Sequence, residues 1–130
     1  MTQADPENKV DRFILEEIDS VPHLEALLLL WRNKEKTWRV EEMAHSLYVK
    51  AEQAENILQD LARRSLVAVQ PEGERVFVYD SSSENRNALL RQVEETYRRE
   101  LIRITRMIHS KAAPSVREFA RAFRLKKDKD

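Results

Sequence analysis

Cysteine is missing from this sequence of 130 residues, and glycine occurs only once. The absence of cysteine excludes disulfide bonds, zinc sites built on thiolates and catalysis by a thiol, and it is compatible with a reducing cytoplasm. One glycine is too few for a glycine-rich loop that cradles phosphate. The longest run of large apolar residues, 27–31, is far too short to span a bilayer. Because the N-terminus is polar and unlike a secretion signal, we expect a cytoplasmic protein without a membrane span.

The charges balance over the whole chain but separate along it. The sequence contains 23 basic residues (lysine and arginine) and 23 acidic residues (aspartate and glutamate). Residues 1–85 contain 10 basic and 17 acidic residues, a net charge of −7, whereas residues 86–130 contain 13 basic and 6 acidic residues, a net charge of +7. Opposite halves indicate a head and a tail that bind different partners or each other. The alternative is two unrelated solvated surfaces.

Apolar spacing predicts two helices at the start of the chain. Asp5 and Pro6 are typical of a helix N-terminus, and the first helix should continue to about Ile18. Ser20 can cap a second helix that continues to Trp31. Its apolar residues cover more than half of its surface, so we expect more than one element to pack on it. These residues are Leu24, Leu27, Leu28, Leu29, Leu30 and Trp31.

Residues 37–80 predict a short strand, two helices separated by a tight turn, and a β-hairpin. The strand covers residues 37–39, and the helices cover residues 40–48 and about 51–64. The hairpin strands, 66–70 and 75–80, should set Val67 and Val69 against Val76 and Val78. Residues 70–73 fit a type I turn that ends on Gly73, the single glycine.

The remaining sequence predicts a helix and a basic tail, which divides the chain into three parts. We predict a winged-helix domain over residues 1–82, a long amphipathic helix within residues 83–110, and a basic amphipathic tail over residues 111–130. One stripe of apolar residues, which we call the seam, runs along the predicted helix. The seam either pairs with a second subunit, which we favour, or packs on the head of its own chain. The seam residues are Leu90, Val93, Tyr97, Leu101, Ile104 and Ile108.

The tail predicts a short helix over residues 115–125, in which basic residues surround Phe119 and Phe123. Such a segment can bind an anionic membrane, a nucleic-acid backbone or an acidic groove. The alternative is a helix that docks by its two phenylalanines and keeps its charges in water. The basic residues are Arg117, Arg121, Arg124, Lys126 and Lys127.

Residues 37–80 resemble the winged-helix superfamily of bacterial transcriptional regulators. The resemblance implies a mainly α fold with a small β wing, and binding of DNA as a homodimer. The sequence departs from the usual pattern at three positions. Tyr48 and Ser65 stand where glycine is frequent, and Lys50 replaces a serine or threonine cap.

In this superfamily the second helix of the motif enters the major groove, where its exposed side chains contact base edges. The resemblance therefore gives six candidate DNA-binding residues. Three carboxylates on the same helix, Glu52, Glu55 and Asp60, would oppose phosphates. The alternative is a solvated helix face that contacts no nucleic acid. The candidates are Lys50, Gln53, Asn56, Gln59, Arg63 and Arg75.

The sequence offers little for catalysis or for a cofactor. Glu42 and His45 have the i, i+3 spacing of half a carboxylate-bridged dimetal site, but no second pair exists. The three histidines are scattered, and the serines at 81–83 have no identifiable base. We therefore predict a DNA-binding transcriptional regulator that is not an enzyme and needs no cofactor. The rival prediction is a winged-helix interaction module whose acidic head binds a basic protein.

Overall fold

Six helices and one β-hairpin make up the part of the chain that the structure, a computed structural model, describes: residues 6–70 and 75–112. This architecture confirms the prediction of a mainly α fold with a small β wing. The elements in chain order are α1 (Pro6–Glu17), α2 (Val21–Arg32), α3 (Val40–Leu47), α4 (Ala51–Arg63), β1 (Val67–Gln70), β2 (Val76–Tyr79), α5 (Glu84–Arg99) and α6 (Leu101–Ala112).

Helix α2 is the centre of the core. Ser20 caps its first turn by accepting a hydrogen bond from the backbone N–H of His23, as the sequence predicts. The helix contacts α3, α4, α5, α6 and β2, which explains why its apolar surface extends beyond one face. Its buried residues are Leu24, Ala26, Leu27, Leu28, Leu30 and Trp31.

Helices α3 and α4 form the helix-turn-helix. Tyr48 ends α3 with φ 58 and ψ 45, and its backbone N–H bonds back to that helix. Ser65 follows α4 with φ 60. These are two of the positions at which the sequence departs from the superfamily pattern, and both have the left-handed conformation that glycine adopts most easily.

The hairpin follows α4, but its strands pair differently from the prediction. Val67 lies opposite Tyr79, and Val69 lies opposite Phe77. The predicted pairing of Val67 and Val69 with Val76 and Val78 is therefore wrong, and the buried residues of β2 are Phe77 and Tyr79. Every residue of β2 is apolar, so alternation alone could not identify its buried face.

The predicted long C-terminal helix is interrupted. Helix α5 ends at Arg99, Glu100 has a non-helical backbone with φ −128 and ψ 49, and α6 begins at Leu101. Both helices contact α1 and α2, so the C-terminal part of the described chain folds back on the head.

No helix in the described ranges is both long enough and apolar enough to cross a membrane. The predicted tip of the hairpin, including Gly73, lies outside those ranges. The predicted tail helix and its basic residues lie outside them as well. These residues are Arg117, Arg121, Arg124, Lys126 and Lys127.

Candidate nucleic-acid interface

One face of α4 is presented to solvent beside the hairpin. Its other face is buried through Ala54, Ile57, Leu58 and Leu61, which fixes the direction of the polar residues. Lys50, Gln53, Asn56 and Arg63 are exposed, whereas Gln59 is half-buried. The exposed positions from 53 to 63 extend over about 15 Å along the helix axis, at 1.5 Å per residue. This length suits a helix that lies in the major groove.

Lys50 is the N-cap of α4, but its side chain forms no capping hydrogen bond. The third sequence departure therefore leaves an exposed ammonium group at the start of α4. The N-terminus of a helix and a lysine both favour an anion. Lys50 thus places a positive charge at the N-terminus of α4.

Two of the three carboxylates on α4 are neutralised by neighbouring side chains. Glu55 forms an ion pair with Arg75, which precedes β2, and it also accepts a hydrogen bond from Gln59 at 3.1 Å. Asp60 forms an ion pair with Arg63. Within the described part of the chain, Glu52 alone of the three has no ion pair. The repulsion predicted between α4 and phosphates is therefore concentrated at Glu52.

A groove of about 470 Å³ lies between the starts of α3 and α4 and the base of the hairpin. Two guanidinium groups, those of Arg39 and Arg75, and the three carboxylates of Glu41, Glu52 and Glu55 line it. The groove is thus mixed in charge. It is lined by Arg39, Val40, Glu41, Ala51, Glu52, Glu55 and Arg75.

The hairpin is joined to the segment that precedes α3. Trp38 and Phe77 exchange both backbone hydrogen bonds, with N–O distances of 2.7 and 2.8 Å. The predicted strand at residues 37–39 is therefore present as a single bridge to β2. Because Phe77 is fully buried, the base of the wing has a fixed position beside the helix-turn-helix.

A polar cluster joins the end of α4 to the start of α2. His23 Nε2 lies 2.8 Å from Asp60 Oδ2, and His23 Nδ1 lies 2.6 Å from Ser20 Oγ. Burial lowers the pKa of His23, with further lowering by Arg64 and Lys111, while Asp19 opposes it. The neutral ring therefore donates from Nε2 to the carboxylate and accepts at Nδ1 from the serine hydroxyl.

The same cluster is the place where the described residues could hold a metal ion. Asp19, His23 and Asp60 each offer one ligand atom, and these atoms lie within 4.8 Å of one another. Arg64 bonds to Asp19 at 3.1 Å and Arg63 pairs with Asp60, so both carboxylates are already neutralised without an ion. No local sequence pattern indicates this cluster, because Asp60 comes from a segment far along the chain from Asp19 and His23.

The pair Glu42 and His45 does not form a metal site in the described structure. Glu42 accepts a hydrogen bond from the backbone N–H of Arg39 at 3.0 Å, and this bond lowers the pKa of Glu42. His45 is exposed on the same helix. The carboxylate therefore caps the first turn of α3, which is a structural role.

The apolar seam of the C-terminal helices packs within the single chain. Among its six residues only Leu101 is exposed, by 51 %. Ile102 is also exposed, by 66 %, so the first turn of α6 presents two large apolar side chains to solvent. The buried members are Leu90, Val93, Tyr97, Ile104 and Ile108.

Two helices, a turn and an adjoining β-hairpin, with the second helix exposed along one polar face, define a winged helix-turn-helix protein. No protein-family profile matches the sequence, and no curated protein matches it. Solved structures do match. RV1404 from Mycobacterium tuberculosis has 19% identity, covers 95% of this chain and 80% of its own, and gives a TM-score of 0.52.

A MarR family protein from Bacillus stearothermophilus has 18% identity, covers 95% of this chain and 84% of its own, and gives a TM-score of 0.50. MepR, a transcription regulator of the Staphylococcus aureus multidrug efflux pump MepA, has 14% identity and covers 94% of this chain and 87% of its own, with a TM-score of 0.49. At these low identities the likeness to RV1404 and to the Bacillus stearothermophilus protein indicates a shared fold and nothing further.

Proposed function

We propose that this protein binds double-stranded DNA through α4 and the hairpin and acts as a transcriptional regulator. The observation that carries the proposal is the exposed face of α4, where Gln53 and Asn56 stand between the cationic groups of Lys50 and Arg63. Amide side chains form paired hydrogen bonds with adenine edges in the major groove, and the cations suit phosphates. Gln59, half-buried beside them, and Arg75 at the base of the wing complete the candidate interface.

The acidic residues of α4 support this proposal better than the rival one. A module that recruits a basic protein needs carboxylates that are available to it, but Glu55 and Asp60 are already paired with arginines of the same chain. These pairs also reduce the charge that would repel DNA. The same pairs engage Arg63 and Arg75, which would exchange Asp60 and Glu55 for phosphates on binding DNA, so among the described cations of this face Lys50 is the one without an ion pair.

We also propose that the protein assembles as a homodimer through the first turn of α6. Leu101 and Ile102 are exposed there, whereas the rest of the seam is already buried in the single chain. Two copies of α4 related by a two-fold axis would contact two half-sites of a palindromic DNA site. Neither DNA binding nor assembly requires a cofactor or a catalytic group in this proposal.

The test is a titration of fluorescently labelled genomic DNA fragments with the full chain at several salt concentrations. Because phosphate contacts release counterions, binding should weaken steeply as salt rises, with a slope of about −0.9 per phosphate contacted. A variant with Lys50→Ala and Arg63→Ala should bind more weakly and give a shallower slope. Absence of binding at low salt and at tens of micromolar protein, roughly the weak limit of non-specific affinity, would refute the function.

A further inference from the structure

The C-terminal end of α4 is fastened to the junction of α1 and α2 by polar side chains, which we call the α4 clasp. It consists of Ser20, His23 and Asp60 on one side, and Arg64 with its acceptors on the other. Arg64 donates to the backbone oxygen of Glu16 at 3.0 Å, to Glu17 at 3.4 Å and to Asp19 at 3.1 Å. The bonds of Arg64, together with the bond between His23 and Asp60, join segments that are 37 to 48 residues apart in the chain.

We propose that His23 and Arg64 are positioning residues for DNA binding, which set the orientation of α4 without touching DNA. This inference rests on the proposed function. Apolar packing through Leu58 and Leu61 attracts α4 to the core, but such attraction is non-directional. Hydrogen bonds are directional, and the clasp supplies them where α4 ends. Contact with base edges requires that direction, because paired hydrogen bonds lose strength steeply with angle.

The burial of the clasp is consistent with a positioning role. The side chain of His23 is 12% exposed and that of Asp60 is 23% exposed, whereas Arg63 is 71% exposed. Arg64 is 33% exposed and is directed at the end of α1. The clasp is therefore more buried than Arg63, and it lies toward the C-terminal end of α4, beyond the exposed amides Gln53 and Asn56.

The experiment compares His23→Ala and Arg64→Ala with the parent by two measurements. Hydrogen exchange of the full chain alone reports on amides 57–66. DNA titration over a salt series reports on affinity at equal folded fraction. We expect faster exchange in this segment and affinity weaker by about tenfold, the loss of one good base contact. We expect an unchanged salt slope, since neither side chain meets a phosphate.

Two further variants serve as rescue and control. Glutamine can donate to Asp60 in place of imidazole, so His23→Gln should restore most of the affinity and the slow exchange. Arg32→Ala removes the ion pair between the end of α2 and Glu94 of α5, at the opposite end of α2 from the clasp. This control should lose comparable stability but keep the exchange of amides 57–66 and the DNA affinity.

Each outcome decides the proposal. Unchanged exchange in His23→Ala and Arg64→Ala would overturn it, as would faster exchange with undiminished affinity. A shallower salt slope for Arg64→Ala would make that residue a phosphate contact and overturn its positioning role. If the parent binds no DNA, the proposed function fails and the positioning role for DNA fails with it. The exchange measurement then decides separately whether the clasp holds α4.

Discussion

Arg75 at the start of the hairpin forms an ion pair with Glu55 in the middle of α4. The wing and the helix are therefore joined by a charged contact as well as by the backbone bridge between Trp38 and Phe77. Both partners are partly exposed, so the pair contributes little to stability. Its larger effect is on charge, because it neutralises a carboxylate that would otherwise face DNA phosphates beside Gln59.

Replacing Glu52 by glutamine should tighten DNA binding. Glu52 is exposed in the first turn of α4 and, among the described residues, it has no cationic partner. Removing its repulsion from one phosphate should increase affinity about fivefold at low salt, as expected for about 1 kcal/mol in water. Fluorescence anisotropy with one DNA fragment would measure the change. Glu95→Gln, an exposed residue of α5, is the matched control and should have no effect.

Replacing Tyr48 by glycine should stabilise the fold. Tyr48 has φ 58 and is 94% exposed, so the change relieves an unfavourable conformation and removes little packing. The left-handed conformation of Tyr48 destabilises the folded chain by about 1–2 kcal/mol. Glycine relieves this cost, but it loses more backbone entropy on folding, which cancels about 0.5–1 kcal/mol of the gain. We expect a net gain of about 0.5–1 kcal/mol in urea unfolding. Tyr48→Ala keeps the left-handed strain, so an equal gain in that variant would contradict the explanation.

Replacing Leu101 and Ile102 by lysine should produce a folded monomer. Both side chains are at least half exposed in the single chain, so the substitutions spare the core. Burial of each would be worth roughly 1.5–3 kcal/mol in a dimer. Sedimentation velocity at micromolar protein measures the change, with Val69→Lys, an exposed apolar position in β1 of the hairpin, as the control. A parent that sediments as a monomer would refute the proposed dimer. Ile104→Lys is unsuitable, since Ile104 is fully buried and its loss would unfold the chain.

The free energy of unfolding should fall in mild acid because of His23. Burial lowers the pKa of His23 below its usual 6.5, so the unfolded chain takes up the proton first as pH falls. The contribution of the neutral His23 ring to the free energy of unfolding is fully present above pH 6.5. It is lost as the pH falls from 6.5 toward the lower pKa that His23 has in the folded chain. The slope for one proton is at most about 1.4 kcal/mol per pH unit.

Urea unfolding at pH 7.5 and 5.5 measures this dependence. His23→Gln removes the titrating group and should flatten it. If His23→Gln shows the same pH dependence as the parent, a group other than His23 causes the loss of stability in acid. The charged groups around the ring are Asp19, Asp60, Arg64 and Lys111.

The elements that the sequence predicted well are those specified by local patterns. The helix-turn-helix follows from apolar spacing, and the two glycine-like positions, Tyr48 and Ser65, proved to have positive φ. The interruption at Glu100 was not predictable, because no glycine or proline marks it and the apolar spacing continues across it. The α4 clasp was missed for a different reason. His23 and Asp60 meet only through the packing of α2 on α4, which a local pattern does not encode.

The bridge between Trp38 and Phe77 also gives the wing an intrinsic optical probe. Trp38 is buried, lies in the segment that holds β2, and has the ammonium of Lys36 at 4.1 Å from its ring centroid. The fluorescence of an indole depends on nearby charge and on exposure to water. Movement of the hairpin would therefore change the emission wavelength and intensity of Trp38. The only other tryptophan, Trp31, lies at the end of α2. A chain with Trp31→Phe would carry a single emitter beside the wing, without any attached dye.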